Sequence, residues 1–353
     1  MGLRISPPII VMYITLIGIP LFTIVSPTAN ASPIGQTSST GDVADIENSS
    51  NRLVIINFDD SYDSQIDYAK PILDKYGFKA TFFEICKRIT ESGWQDILRL
   101  QEDGMDIQAH TMTHPNLNEL SDEKLDTELR KAKECFQDHG IKPTIFAYPY
   151  GNGWNNETVL GKVAEHYDLA RTNSIYPLTF LNCDFWDTID YKFAANDSSN
   201  SIPSCIREEE QKDDVIMRNG NYLQQTLGSS RYAINSWSHK HVEGPYDYSS
   251  SSCTDVCRRY DNAGMLERFV EVVNSQGNFN KDGTIRAIPV IVYHAFVPFG
   301  DISESDNPTD TTVNLFEQEM RYLRDNGFRV LTMKDIEYDK DRGTLSIKNM
   351  SLV

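Results

Sequence analysis

From residue 53 onward, short apolar runs alternate with stretches of helical periodicity, and this alternation restricts the fold more than any other feature of the chain. Residues 53–58 (LVIINF) read as a buried strand, 67–76 as a helix and 79–85 (KATFFEI) as a second strand. A helix over 94–102 and a strand over 105–109 follow. After Ser121, the acidic Asp122 and Glu123 open a helix whose apolar residues Leu125, Leu129, Ala132 and Phe136 fall on one face before Gly140. A strand over 144–150, a helix over 156–166 and a strand over 169–173 come next. The alternation resumes at 233–237, 265–273, 287–295, 313–324 and 329–333. Repeated βα units imply a parallel sheet, and about seven of them predict a closed or nearly closed barrel. Residues 177–232 break the rhythm with Ser/Asn-rich and acidic segments, and read as a long loop-rich insertion.

The first 31 residues have the pattern of an export signal. Arg4 is basic, residues 8–25 are almost wholly apolar, and Ala29-Asn30-Ala31 offers small residues for cleavage. The alternative is an uncleaved signal anchor, the one case in which the membrane would be a partner. Either way the working part is expected outside the cytoplasm, secreted or at the cell surface. Residues 32–51, rich in Ser, Thr, Gly and Asn, read as a flexible linker. The chain has 33 Lys+Arg against 51 Asp+Glu, a formal charge of −18, so it lacks the basic footprint of a nucleic-acid binder. The oligomeric state is not legible.

Polar clusters fall where the strands end, which is where a parallel barrel carries its site. Asp59-Asp60 follows the first strand, and adjacent carboxylates repel unless a metal or a proton separates their roles. His110 and His114, four positions apart, can aim two imidazoles at one point and hold a divalent metal, with Asp60 as a third ligand. Pro149 and Gly151 flank Tyr150 in a turn whose backbone N–H could face a reacting oxygen. His294 ends the apolar run AIPVIVYHAF and could act as an acid or a base. Each has a plainer reading: a helix cap, a surface pair, a tight turn, a structural histidine.

Taken in order, FDD, ATFF, HTMTH, YPYG and IVYH resemble the motif series of NodB-type polysaccharide deacetylases, carbohydrate esterase family 4. The resemblance covers about 53–173 and resumes over about 287–336. It implies a distorted (β/α)7-type barrel of the NodB homology domain, spanning 52–340 with the insertion at about 177–232 and a C-terminal tail over 341–353. It implies metal-dependent removal of N-acetyl groups from the amino sugars of an extracellular or cell-surface polysaccharide or oligosaccharide. Asp59 would be the general base and His294 the general acid. Asp60, His110 and His114 would hold a divalent metal, Zn2+ first, with Co2+ or Ni2+ as alternatives. The Tyr150 N–H would stabilise the oxyanion.

The chain departs from the family at Ala147, where an Arg orients the base in many members. Arg171 is the candidate replacement. Asp187 or Asp190, in a segment resembling the family's Asp-x-x-Asp-aromatic motif, would tune His294. An O-acetyl esterase or another amidase on the same scaffold, and a catalytically silent carbohydrate-binding protein, are the competing readings.

The chain has six Cys, and outside the cytoplasm thiols tend to oxidise. A disulfide among Cys183, Cys205, Cys253 and Cys257 would staple the insertion, with Cys86 and Cys135 simply buried. His239 and His241, with Cys253 and Cys257, lack the Cys-x-x-Cys knuckle of a second zinc site.

Overall fold

A computed structural model describes residues 51–173, 177–181, 231–243, 246–247, 252–253, 257–298 and 300–348. The export signal, most of the linker and of the insertion, Asp187, Asp190, Cys183 and Cys205 lie outside the described residues.

Nine strands form the main sheet: β1 (Leu53–Asp59), β2 (Thr81–Glu84), β3 (Asp106–Ala109), β4 (Ile145–Ala147), β5 (Leu169–Asn173), β6 (Leu178–Phe180), β7 (Ile234–Ser238), β8 (Ala287–Tyr293) and β9 (Arg329–Leu331). Seven of them, β1-β2-β3-β4-β5-β7-β8, pair in parallel, and β8 returns to β1 from Ile55↔Val290 to Phe58↔Tyr293. The barrel is therefore closed. At its N-terminal end β9 runs parallel to the start of β1, and β6 runs antiparallel to the start of β8. β6 thus places a piece of the predicted loop excursion in the sheet. At the other boundary, Thr344–Ile347 pairs antiparallel with Ile336–Asp339, so ordered structure continues beyond 340.

Strand side chains alternate between faces, and the two apolar clusters follow that period. Leu53, Ile55, Phe83, Ile145, Leu169, Ile234, Ile288 and Val290 pack together inside the barrel. Val54, Ile56, Phe58, Phe82, Ile107, Phe146, Ile291 and Tyr293 face outward against the helices. Those helices are α1 (Lys70–Tyr76), α2 (Gly93–Glu102), α3 (Asp122–Asp138), α4 (Glu157–His166), α5 (Asn262–Asn274) and α6 (Val313–Asp325). In α3 the buried residues are the expected Leu125, Leu129, Ala132 and Phe136. Continuing the inward parity of each strand leads to Asp59, His110, Arg171, Ser236 and His294. The interior therefore passes from apolar side chains to titratable and polar ones at the C-terminal ends of the strands.

The cysteine expectation needs a correction. Cys86 and Cys135 are bonded to each other, with 6.5 Å between their Cα atoms and 49 residues between them in sequence. The loop after β2 and the C-terminal part of α3 bring them together, a meeting that strand order sets and local sequence does not. Closing a loop of that length removes unfolded-state entropy worth about 4 kcal/mol. Cys257 is disulfide-bonded as well.

Candidate active site

β1 delivers Asp59 into the barrel, and the chain then turns sharply. Asp60 and Ser61 both take left-handed backbone conformations, with φ of 80° and 58°. Such geometry costs a non-glycine residue about 1–2 kcal/mol, so neighbouring groups must hold it. The Ser61 Oγ accepts the Ile85 N–H at 2.8 Å, and Arg88 Nη1 donates to the Asp60 carbonyl at 3.1 Å. Among the described residues, five of the six non-glycine positions with positive φ belong to this region: Asp60, Ser61, Thr111, His114 and Tyr150. Backbone strain is concentrated where the polar side chains converge.

Asp60 Oδ1 lies 3.2 Å from His114 Nε2 and 3.5 Å from His110 Nε2, and the two imidazole nitrogens are 3.1 Å apart. The His110 ring is oriented from behind, where Nδ1 faces the Ala147 carbonyl at 2.8 Å. A carbonyl can only accept, so Nδ1 carries the proton and Nε2 presents a lone pair. Asp60 Oδ1 is buried without a hydrogen-bond partner. An orphaned carboxylate oxygen beside two convergent imidazole nitrogens is the donor set of a divalent metal site, and these residues fit one. Burial alone would raise the Asp60 pKa, but the adjacent His110 and the charges of His294 and His114 hold it well below the usual carboxylate range. Burial, then the His110 charge, pushes His114 down to about 4.

Beside this group sits a buried ion pair. Arg171 Nη2 bonds both oxygens of Asp59 at 2.6 Å, and Nη1 bonds Asn173 Oδ1 at 2.7 Å and Ser236 Oγ at 3.1 Å. The guanidinium lies over the Phe83 ring, 4.7 Å from its centroid. Ala147 and Arg171 are register partners on β4 and β5. A guanidinium missing from position 147 is thus present one strand over at the same height in the barrel.

His294 follows β8, with Nδ1 buried and without a partner. Burial lowers its pKa, while the charges of Asp59 and Asp60 act to raise it. Gln65 Nε2 donates to the backbone carbonyls of both Asp59 and His294, at 2.6 and 3.0 Å, and so ties the two strand ends together. Tyr150 adopts φ 59°, stands 63% exposed, and meets the His114 ring edge-on at 4.6 Å. The next residue must be glycine: Gly151 has φ +68°, and a Cβ there would come within 3.0 Å of the Asn173 backbone nitrogen.

Gln65, Glu84 and Glu128 had no sequence signal of their own. Glu84 is fully buried, and burial raises it to about 7 against the opposing hydrogen bond from Ser61. His239, considered for a second zinc site, instead has Nε2 on Glu319 at 2.7 Å and Nδ1 at 3.0 Å from Thr311 Oγ1. A second acidic group, Asp126, Glu165 and His166, already pairs with Arg130 and Lys162 on the outer surface.

Residues 47–170 match the family described as Polysaccharide deacetylase. YxkH of Bacillus subtilis (strain 168), which carries the polysaccharide deacetylase name, is 32% identical over 127 residues, covering 35% of this chain and 45% of its own length. The peptidoglycan-N-acetylglucosamine deacetylase of Bacillus cereus is 30% identical over 117 residues, covering 32% of this chain and 53% of its own. The chain thus spans about half the length of these two relatives. Among solved structures, the Xyl-CE4 domain of a multidomain xylanase from the hindgut metagenome of Trinervitermes trinervoides shares 16% identity and a TM-score of 0.44, over 80% of this chain and 88% of that one. The matched span contains Asp59, Asp60, His110, His114 and Tyr150, and ends one residue before Arg171. Over residues 47–170, then, about a third of the chain, the sequence is similar to polysaccharide deacetylases.

Proposed function

We propose that the protein is a metal-dependent hydrolase that removes N-acetyl groups from amino sugars of a polysaccharide outside the cytoplasm, releasing acetate and a free amine. The observation that carries this reading is the convergence of Asp60 Oδ1, His110 Nε2 and His114 Nε2 beside the Asp59–Arg171 pair. Asp60, His110 and His114 would hold Zn2+, Co2+ or Ni2+, which when bound supplies Lewis acidity toward water and the acetyl carbonyl.

The residues of the chain divide the remaining work. Asp59 accepts the proton of the attacking water, and Arg171 fixes the plane of its carboxylate by bonding both oxygens. His294 delivers a proton to the departing amine nitrogen. Its burial makes the protonated ring a ready donor, and the nearby Asp59 and Asp60 charges keep that form attainable. The Tyr150 backbone N–H would meet the oxyanion as the carbonyl becomes tetrahedral. The export-signal pattern in residues 1–31 and the Cys86–Cys135 bond support action outside the cytoplasm.

Acetate release is the test, measured on N-acetylglucosamine oligomers, peptidoglycan and acetylated xylan with each of the three ions supplied. Release with a matching rise in free amine is expected. Acetate without amine would favour O-acetyl ester cleavage. Binding to a glycan with no release from any substrate would sink the hydrolase reading in favour of a silent carbohydrate-binding protein.

A further inference from the structure

We infer that Glu128, on the outer helix α3, is the positioning residue that holds the histidine loop in its metal-binding form. This rests on the metal reading above and goes beyond it by assigning a residue with no place in the motif series. Residues 110–114 must reverse within four residues so that both Nε2 atoms point to one place. That reversal puts Thr111 at φ 68° and His114 at φ 65°, conformations an unrestrained loop would leave.

The Glu128 carboxylate restrains the loop by three hydrogen bonds. Oε2 accepts the N–H groups of Met112 at 3.1 Å and Thr113 at 2.8 Å, and Oε1 accepts the Thr113 hydroxyl at 2.7 Å. All three donors lie between the two histidines. The helix that carries Glu128 is anchored beside it, because its neighbours Leu125 and Leu129 on α3 are core residues.

The opposite side of the loop is held from the turn that follows β2. The Cys86 N–H donates to the Thr111 carbonyl at 3.4 Å, and the Lys87 N–H to the Met112 carbonyl at 3.1 Å. The Cys86–Cys135 bond joins these two supports, since Cys135 lies on the same helix as Glu128. The loop therefore sits between two clamps that are covalently connected. Groups that orient metal ligands typically change metal affinity by about 10–100-fold when removed.

The test is Zn2+ and Co2+ affinity of the full chain, measured by chelator competition, with thermal unfolding of the metal-free protein alongside. Glu128→Ala is expected to bind about 10–100-fold more weakly than the unmodified chain. Glu128→Gln is expected to bind close to normally, because its carbonyl can take both backbone N–H groups and its amide can donate to the Thr113 hydroxyl. Equal weakening in both variants would mean that charge, not hydrogen bonding, matters, and would overturn the assignment. Lower thermal stability of Glu128→Ala with unchanged affinity would overturn it too. Should Glu128→Ala not fold, Thr113→Val, which removes one of the three bonds at an exposed position, decides: unchanged affinity overturns the proposal. An unmodified chain that takes up neither ion would overturn the metal reading itself, and shows this before any substitution is made.

Discussion

The two halves of the site are built from different materials. The half proposed to hold the metal, Asp60, His110 and His114, depends on turns with left-handed backbone angles held by groups outside the barrel. The half proposed for proton transfer, Asp59, Arg171 and His294, depends on strand ends and a buried ion pair inside it. Turn geometry is particular to each residue, so a lost ligand there has no substitute nearby. Parallel strands offer equivalent seats at one height, and Arg171 on β5 sits level with Ala147 on β4, as its proposed role requires. The two halves are therefore expected to fail in different ways.

The largest effect should separate them outright. His110→Ala is expected to lose metal uptake and turnover together, whereas Asp59→Asn keeps the metal and loses about 10²–10⁴-fold in kcat. Metal content and acetate release on the same two preparations check this, and full activity in Asp59→Asn would remove it from the role of base. Next in size is the buried pair. Arg171→Leu leaves Asp59 charged and unpartnered in the interior, and should cost about 3–5 kcal/mol in denaturant unfolding. Arg88→Ala, which removes an exposed cation 3.9 Å from Asp60, should cost no more than about 1 kcal/mol. Similar losses for the two arginines would erase the contrast.

A smaller effect is expected at the seam between strands. Gln65→Leu deprives the Asp59 and His294 carbonyls of their shared donor, at about 1–3 kcal/mol. Because the proposed base and acid then shift relative to each other, kcat should fall while KM and metal affinity hold. The smallest effect is a pH dependence of the metal-free chain. Glu84 has a folded pKa of about 7 against an ordinary 4.5, so the folded state binds more protons in that window and its contribution to stability is lost as pH rises through 7. His114 runs the other way: its folded pKa of about 4 against 6.5 means that stability is lost as pH falls from 6.5 toward 4. The two trends oppose each other between them. Glu84→Gln should remove the first, so that stability in thermal melts falls less as pH rises across that range than it does in the unmodified chain.

The legible parts of this molecule were those encoded over a few residues. The α3 face and the alternation of β1 were readable because their periods lie along the chain. Asp60, His110 and His114 could be named as a set because they sit at strand ends in a recognisable order. Arg171 could only be a candidate, since its link to Asp59 spans 112 residues and depends on which strands pair. Gln65 and Glu128 were invisible for a related reason: each acts through backbone groups of a distant segment, and a glutamine or glutamate on a helix has many ordinary explanations. The Cys86–Cys135 pair, expected only to be buried, was not legible because 49 residues separate the partners. β6 was read as loop because three residues are too short to show a period.

The Cys86–Cys135 bond has a topological result as well as an energetic one. It encloses residues 87–134, and with them both histidines and Glu128. A protease cut anywhere in that stretch leaves two pieces that remain covalently joined until the bond is reduced. In a setting where peptidases are common and reductants scarce, a nicked chain would keep its histidine loop attached to the rest of the barrel, and only cleavage combined with reduction would set the pieces free.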